Sequence, residues 1–140
     1  MKKLTIVLLL ICLLPGLAEA QAKNPLKSWK FWLETAAVAG IRIWDAESTV
    51  AAVRRDPFFR ESNSIFSRRP KRGELYWKGG LITLGERGLI ALIWKKNPKV
   101  GSALSSMDAG LNVTFHSFAI DANNSSQPPV CPSGTECNLK

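Results

Sequence analysis

The sequence predicts an all-α protein, a small bundle of two to three membrane-embedded helices behind a cleaved signal peptide. Three observations carry that expectation. The chain opens with an export leader, three segments of helical length follow, and the polar residues of each segment gather on one side. All three can be read from residue types and spacing alone.

The leader occupies residues 1–20. Lys2 and Lys3 form a basic start, Leu4 to Leu14 an apolar run, and Pro15-Gly16 a break. Ala18-Glu19-Ala20 supplies the small-x-small pattern of a signal peptidase site, which places cleavage between Ala20 and Gln21. The apolar run is shorter than the ~20 residues a membrane span needs, which argues against an uncleaved anchor. Cys12 follows Ile11 rather than a small residue, so no lipid attachment is expected. Cleavage removes Lys2, Lys3 and Glu19 and takes the net charge from +8 to +7. A helical domain, 21–123, and a tail, 124–140, remain.

The first helix is expected from Phe31 to about Val53, opened near Asn24-Pro25 and Ser28 and closed before Asp56-Pro57. The second runs from Leu75 to Lys95, between Gly73 and Asn97-Pro98, and the third from Ala103 to about Asn123. None shows the period-2 alternation of a strand. Each has ~20 residues, the number that crosses a hydrocarbon layer. Trp29, Trp32, Tyr76, Trp77 and Trp94 stand at segment ends, where a membrane interface selects aromatics. The tail lacks an apolar period and reads as disordered or tied by a Cys131–Cys137 disulfide, which an oxidising compartment favours for so close a pair.

Charge gives a topology. Residues 54–74 hold seven Lys and Arg against three acids, so this loop is expected to face the cytoplasm. Lys95, Lys96, Lys99 and the two tail cysteines oppose a third span, so two spans are better supported than three. Cost opposes even these. Arg42 and Asp45 lie mid-helix, and a charge near a helix centre resists insertion by roughly 2.5–3.5 kcal/mol. Insertion therefore requires pairing, and Arg42 and Asp45, three residues apart, are near enough for it.

At 100° per residue Glu34, Arg42, Asp45, Ser48 and Thr49 form one stripe about 120° wide, with Glu47 off it. Ser105, Asp108, Asn112, His116 and Asn123 form a second, and Thr83, Glu86 and Arg87 a third. Gly79, Gly80, Gly85 and Gly88 are expected to allow close helix approach. His116 is the only histidine. Asp45, Glu61 and Asp108 are its candidate carboxylate partners for proton exchange or metal ligation, against a plain hydrogen-bonded packing role. For Ser48 and Thr49 the expected role is a hydroxyl–carboxylate hydrogen bond to Asp45. No phosphate-binding glycine loop, G-x-S-x-G or H-E-x-x-H motif occurs, and C-x5-C is not a usual zinc spacing. No metal or cofactor is expected.

Asp45-x-x-Ser48-Thr49, then Glu61-x-Asn63, and far downstream His116 followed by Asn123, resembles a group of uncharacterised small bacterial membrane proteins. Their sequences carry a D-x-x-[ST]-T helix, an E-x-N-P turn and a late His…Asn helix. The resemblance covers residues 31–123, and it implies a compact bundle of about three membrane helices and no particular activity. Ser64 stands where that family has proline, so a less rigid turn is expected.

Three functions stay open. The first is an inner-membrane bundle whose polar network of Asp45, Ser48, Thr49, Glu61, Asn63, His116 and Asn123 is structural or binds a partner membrane protein, with Arg68, Arg69, Lys71 and Arg72 on anionic headgroups. The second is an exported periplasmic or secreted binding module, soluble or peripheral, whose basic loop engages anionic surfaces; export argues against nucleic acid. The third is a membrane enzyme using Asp45, Glu61 and His116. The residue pattern favours the first and leans away from catalysis.

Overall fold

The computed structural model describes residues 23–125. The leader, Cys131, Cys137 and positions 126–140 of the tail lie outside the described residues. Within them the chain is all-α: a 3-10 turn, Pro25–Lys27, and three helices, α1 (Trp29–Arg55), α2 (Arg72–Lys96) and α3 (Pro98–Ser125). They run up, down and up, so α1 and α3 are parallel and α2 is antiparallel to both.

Local chemistry sets the ends. Ser28 Oγ accepts the Phe31 N–H and caps α1. Pro57 blocks its continuation, and the Asp56 N–H closes on Ala52. α3 starts five residues before Ala103, because Asn97 serves two helices at once. Its N–H bonds the Ile93 carbonyl of α2, its Oδ1 accepts the Val100 N–H of α3, and Pro98 takes the first helical position. The third helix also runs two residues past Asn123, so Asn124 and Ser125 belong to it rather than to the tail.

That turn brings α2 and α3 into contact at Gly101, where a Cβ would overlap the backbone and Cβ of Trp94. Trp94 is wholly buried against Phe31 and Ile90, so it is a core residue and not the interfacial aromatic expected from its position. The glycines expected to bring helices together do not. A Cβ on Gly79, Gly80, Gly85 or Gly88 meets nothing within 4 Å.

The loop of residues 56–71 is tied back to the helices by side chains. Arg69 donates to the Val53 and Pro57 carbonyls, Arg72 and Tyr76 donate to Glu47, and Lys78 reaches the Ile65 carbonyl. Ser67 donates both its N–H and its Oγ to Glu74, in the first turn of α2 before the apolar stretch that begins at Trp77. The Lys78 ammonium, then these Ser67 bonds, draw the Glu74 carboxyl down to about 2.

The apolar core is thin and discontinuous. Four clusters, among them Val38 with Ala109 and Ala46 with Val50 and Leu75, alternate with polar layers along the axis. The outside shows the reverse. Trp77, Leu84 and Phe115 are 67–73% exposed, with Trp32, Leu33, Ile43, Leu81, Leu89, Leu92, Met107 and Phe118 also open. Every exposed position in 32–51, 77–92 and 100–118 is an aliphatic or aromatic residue, methionine, alanine or glycine. Glu47, Lys78 and Glu86 are half-buried along these stretches, and each is held in an ion pair. At 1.5 Å per residue the stretches span about 22–29 Å. Among the described residues no helix is long and apolar enough to cross a membrane, because the inward polar stripe dilutes the hydropathy of each.

Two outcomes follow for the fold. Gly101→Ala forces the α2–α3 turn apart and lowers stability by about 3 kcal/mol or more in equilibrium unfolding, whereas Gly85→Ala raises helix propensity without a clash and stabilises by about 0.5–1 kcal/mol. The Glu74 clamp contributes stability that is present above the ordinary carboxylate range and is lost as pH falls through about 2. Hydrogen-exchange protection of the Ser67 amide therefore holds from about pH 7 to 4 and disappears only toward pH 2.

Candidate functional site

α1 and α3 lie side by side in parallel register, and their polar stripes meet pair by pair: Lys30 with Ser102, Glu34 with Ser105, Arg42 with Asn112, Asp45 with His116, Thr49 with Asn123. α2 adds Thr83, Glu86 and Arg87 from the third side. Among the described residues every buried side-chain polar atom has a partner.

The ladder starts at Glu34, 1% exposed. Ser105 Oγ donates to one of its oxygens and Ser106 Oγ to the other, the latter at 2.8 Å. Lys30, equally buried, sits 3.8 Å away and donates to Ser102. Arg87 lies 3.7 Å from Glu34 and 3.0 Å from Asp108, with its Nε on Thr35 and its guanidinium 5.0 Å from the Phe31 ring centre. Asp108 accepts from the Asn112 amide, whose Oδ1 accepts two bonds from Arg42. Arg42 then reaches Thr83 and, at 2.6 Å, Glu86. The expected Arg42–Asp45 pair is thus replaced: Arg42 turns to α2 and α3, because their acceptors satisfy a desolvated guanidinium better than a neighbour on its own helix.

Asp45 turns to α3. His116 Nδ1 lies 2.6 Å from Asp45 Oδ2, and the Asn123 amide donates to Ser48 and Thr49 at 2.9 Å each and to Asp45 at 3.5 Å. A carboxylate only accepts, so Nδ1 carries the proton and Nε2 remains an acceptor in the neutral ring. Ser48 Oγ donates to the Asp45 main-chain carbonyl rather than to its carboxylate. Its hydroxyl and that of Thr49 serve as acceptors for Asn123, so neither makes the bond to the Asp45 side chain that spacing suggested.

Beside this cluster lies a cavity of ≈ 290 Å³ at the loop end of the bundle. Asp45, Thr49, Glu61, Asn63, His116 and Asn123 all line it, with Ser48 buried just behind. Six of the seven network candidates, from two helices and a loop, therefore meet in one place. Arg42 and Glu86 form part of its wall, and Ile65, Phe66, Leu75 and Ile82 supply an apolar side. Glu61 and Asn63 also build the loop that covers it. Glu61 Oε1 accepts the Asn63 N–H, Asn63 Oδ1 accepts the Ile65 N–H, and the Glu61 N–H bonds the Arg68 carbonyl. These bonds shape the turn around Ser64.

The other candidates fall elsewhere. Arg68, Arg69 and Lys71 are exposed at the loop and Arg72 at the start of α2, outside the cavity, with Arg69 tying the loop to α1 and Arg72 tying α2 to α1. Among the described residues no group of His, Cys, Asp and Glu is placed to hold a metal ion. The buried partners Lys30 and Ser102 and the half-buried Ser106 were not singled out from sequence. Their signal was present, since Lys30 precedes Glu34 by one helical turn and the serines by their spacing extend the α3 stripe.

No family model, curated protein or solved structure matches the chain. The site's geometry is therefore the ground for a functional reading.

Removing one partner of a buried ion pair leaves the other uncompensated, at roughly 3–5 kcal/mol. Arg87→Met, which takes the shared guanidinium from Glu34 and Asp108 and leaves Asp108 without an ion-pair partner, is expected to lower unfolding stability by about that amount. Arg68→Ala, on the exposed loop, is expected to change it by no more than about 0.5 kcal/mol.

Proposed function

We propose that this chain is a small helical protein of the bacterial inner membrane whose buried polar network holds the bundle together and whose cavity, at the basic-loop end, binds a polar group from a partner or ligand. The observation that carries this reading is the inversion of the bundle. Charges and amides face one another inside, while an apolar belt without an exposed charge faces out. A soluble monomer seldom exposes an apolar patch beyond a few hundred Å². A bilayer rewards that surface and offers nothing to an outward charge.

Hydropathy of single helices speaks against lone insertion. Paired insertion removes the objection, because Arg42, Arg87, Glu34 and Asp108 then contact protein and not lipid. The belt heights approach the ~30 Å of a hydrocarbon core. Lys23, Lys27, Lys95, Lys96 and Lys99 at one end and the arginine-rich loop at the other would meet the headgroups.

A second reading, a membrane enzyme with His116 as general base, is favoured by the Asp45–His116 contact, which fixes the ring and leaves Nε2 as the acceptor. Ser48 offers it no nucleophile, being buried and already bonded. Binding is therefore the better-supported role.

Topology tests the membrane reading. In spheroplasts of a strain producing the chain with Cys12, Cys131 and Cys137 replaced, Lys99→Cys is expected to react with an impermeant maleimide. Arg68→Cys is expected to react only after permeabilisation. Equal labelling of both positions from outside would show that α2 does not span.

A further inference from the structure

We propose that the cavity takes a primary ammonium group carried on a short apolar chain. This rests on reading the cavity as the binding site, and charge is the first ground for it. In the ladder above the cavity Lys30 and Arg87 face Glu34 and Asp108, two charges of each sign. The balance fails only on entering the cavity. There Arg42 faces Asp45, Glu61 and Glu86, leaving an excess of two negative charges, or one if His116 is protonated. An excess of like charge gathered in a partly enclosed space is relieved by a group of opposite sign.

The donor inventory fixes the sign and shape of that group. Four of the five N–H groups of Arg42 already donate, to Asn112 twice, Thr83 and Glu86, so an anion finds little donor capacity there. The unused capacity is in acceptors. Glu86 gives Oε2 to Arg42, and Glu61 gives Oε1 to the Asn63 N–H. Each carboxylate keeps its second oxygen, and His116 keeps Nε2. A primary ammonium brings three N–H donors to a space lined by such acceptors, whereas a quaternary ammonium brings none. Among the described residues no group of three His, Cys, Asp or Glu side chains is placed to hold a bare metal ion. The apolar wall of Phe66, Leu75 and Ile82 suits a short hydrocarbon, and ≈ 290 Å³ is about ten times the space of one water in the liquid. A free alkylamine and the headgroup of an aminophospholipid present the same chemistry.

Calorimetric titration of the full-length solubilised protein tests this with butylamine, butyltrimethylammonium and butyrate. Butylamine is expected to bind at least about tenfold more tightly than either other probe. Glu61→Gln, at the rim, is expected to weaken it about tenfold, the loss of one charge-assisted hydrogen bond. Gly79→Leu, whose side chain enters open space in the cavity wall, is expected to abolish binding while leaving the ligand-free unfolding midpoint unchanged or higher. If butylamine does not bind, but phosphatidylethanolamine nanodiscs raise the midpoint over phosphatidylcholine nanodiscs in the wild type and not in Gly79→Leu, the ammonium is a lipid headgroup and the proposal stands. If neither source binds, or butyrate matches butylamine, it is overturned. The maleimide result stands apart from these titrations, so failure of the membrane reading is seen separately.

Discussion

Glu34 is the constraint around which the upper half of the bundle is organised. A carboxylate at 1% exposure survives only with its charge and its lone pairs answered. Two serines from α3, an ammonium from its own helix and a guanidinium from α2 answer it. No one helix supplies enough partners, so satisfying this residue requires all three to be present and in register. The same Arg87 reaches Asp108, and the demand passes down the axis to Asn112, Arg42 and Glu86. Ordinary helical bundles fix register by apolar interdigitation. Here the apolar clusters are small and separated, and hydrogen-bond geometry, which tolerates less error than hydrophobic contact, sets the register.

The helical wheels made most of this legible. Period 3.6 placed Glu34, Arg42, Asp45, Ser48 and Thr49 on one side of α1 and Asp108, Asn112, His116 and Asn123 on one side of α3, and those sides do meet. Partner choice within the stripes was not legible. Arg42 and Asp45 are neighbours on their own helix, yet each finds its acceptor or donor on another, and one-dimensional spacing cannot rank contacts between helices. Trp94 and the glycines of α2 were misread for a related reason. Their roles depend on which face of α2 points inward, and among the described glycines only Gly101 meets a backbone close by. The α3 start was missed because Asn97-Pro98 marks an end and a beginning at once.

The cavity arises where this arrangement loosens. Above Arg42 the three helices fill the interior with side chains; below it the loop between α1 and α2 folds over the end and does not fill it. Glu61 and Asn63 spend part of their polar capacity on the loop itself, and the remainder faces inward. The loop therefore shapes the site and the bundle charges it, which is why residues from such different surroundings line one space.

The register of α1 against α3 also dictates an order of assembly. α2 and α3 are joined by a single residue, and Arg87 and Asp108 are 21 positions apart, so their pairing closes quickly after both helices exist. The contacts of α1 with α3 bridge about seventy residues and must come later. A lone Glu34 docking on that hairpin would bring a bare charge to a position where it is 1% exposed. Lys30, one turn away on the same helix, travels with it as counterion. α1 can thus approach as a nearly neutral rod and exchange its local pairing for the shared one on docking.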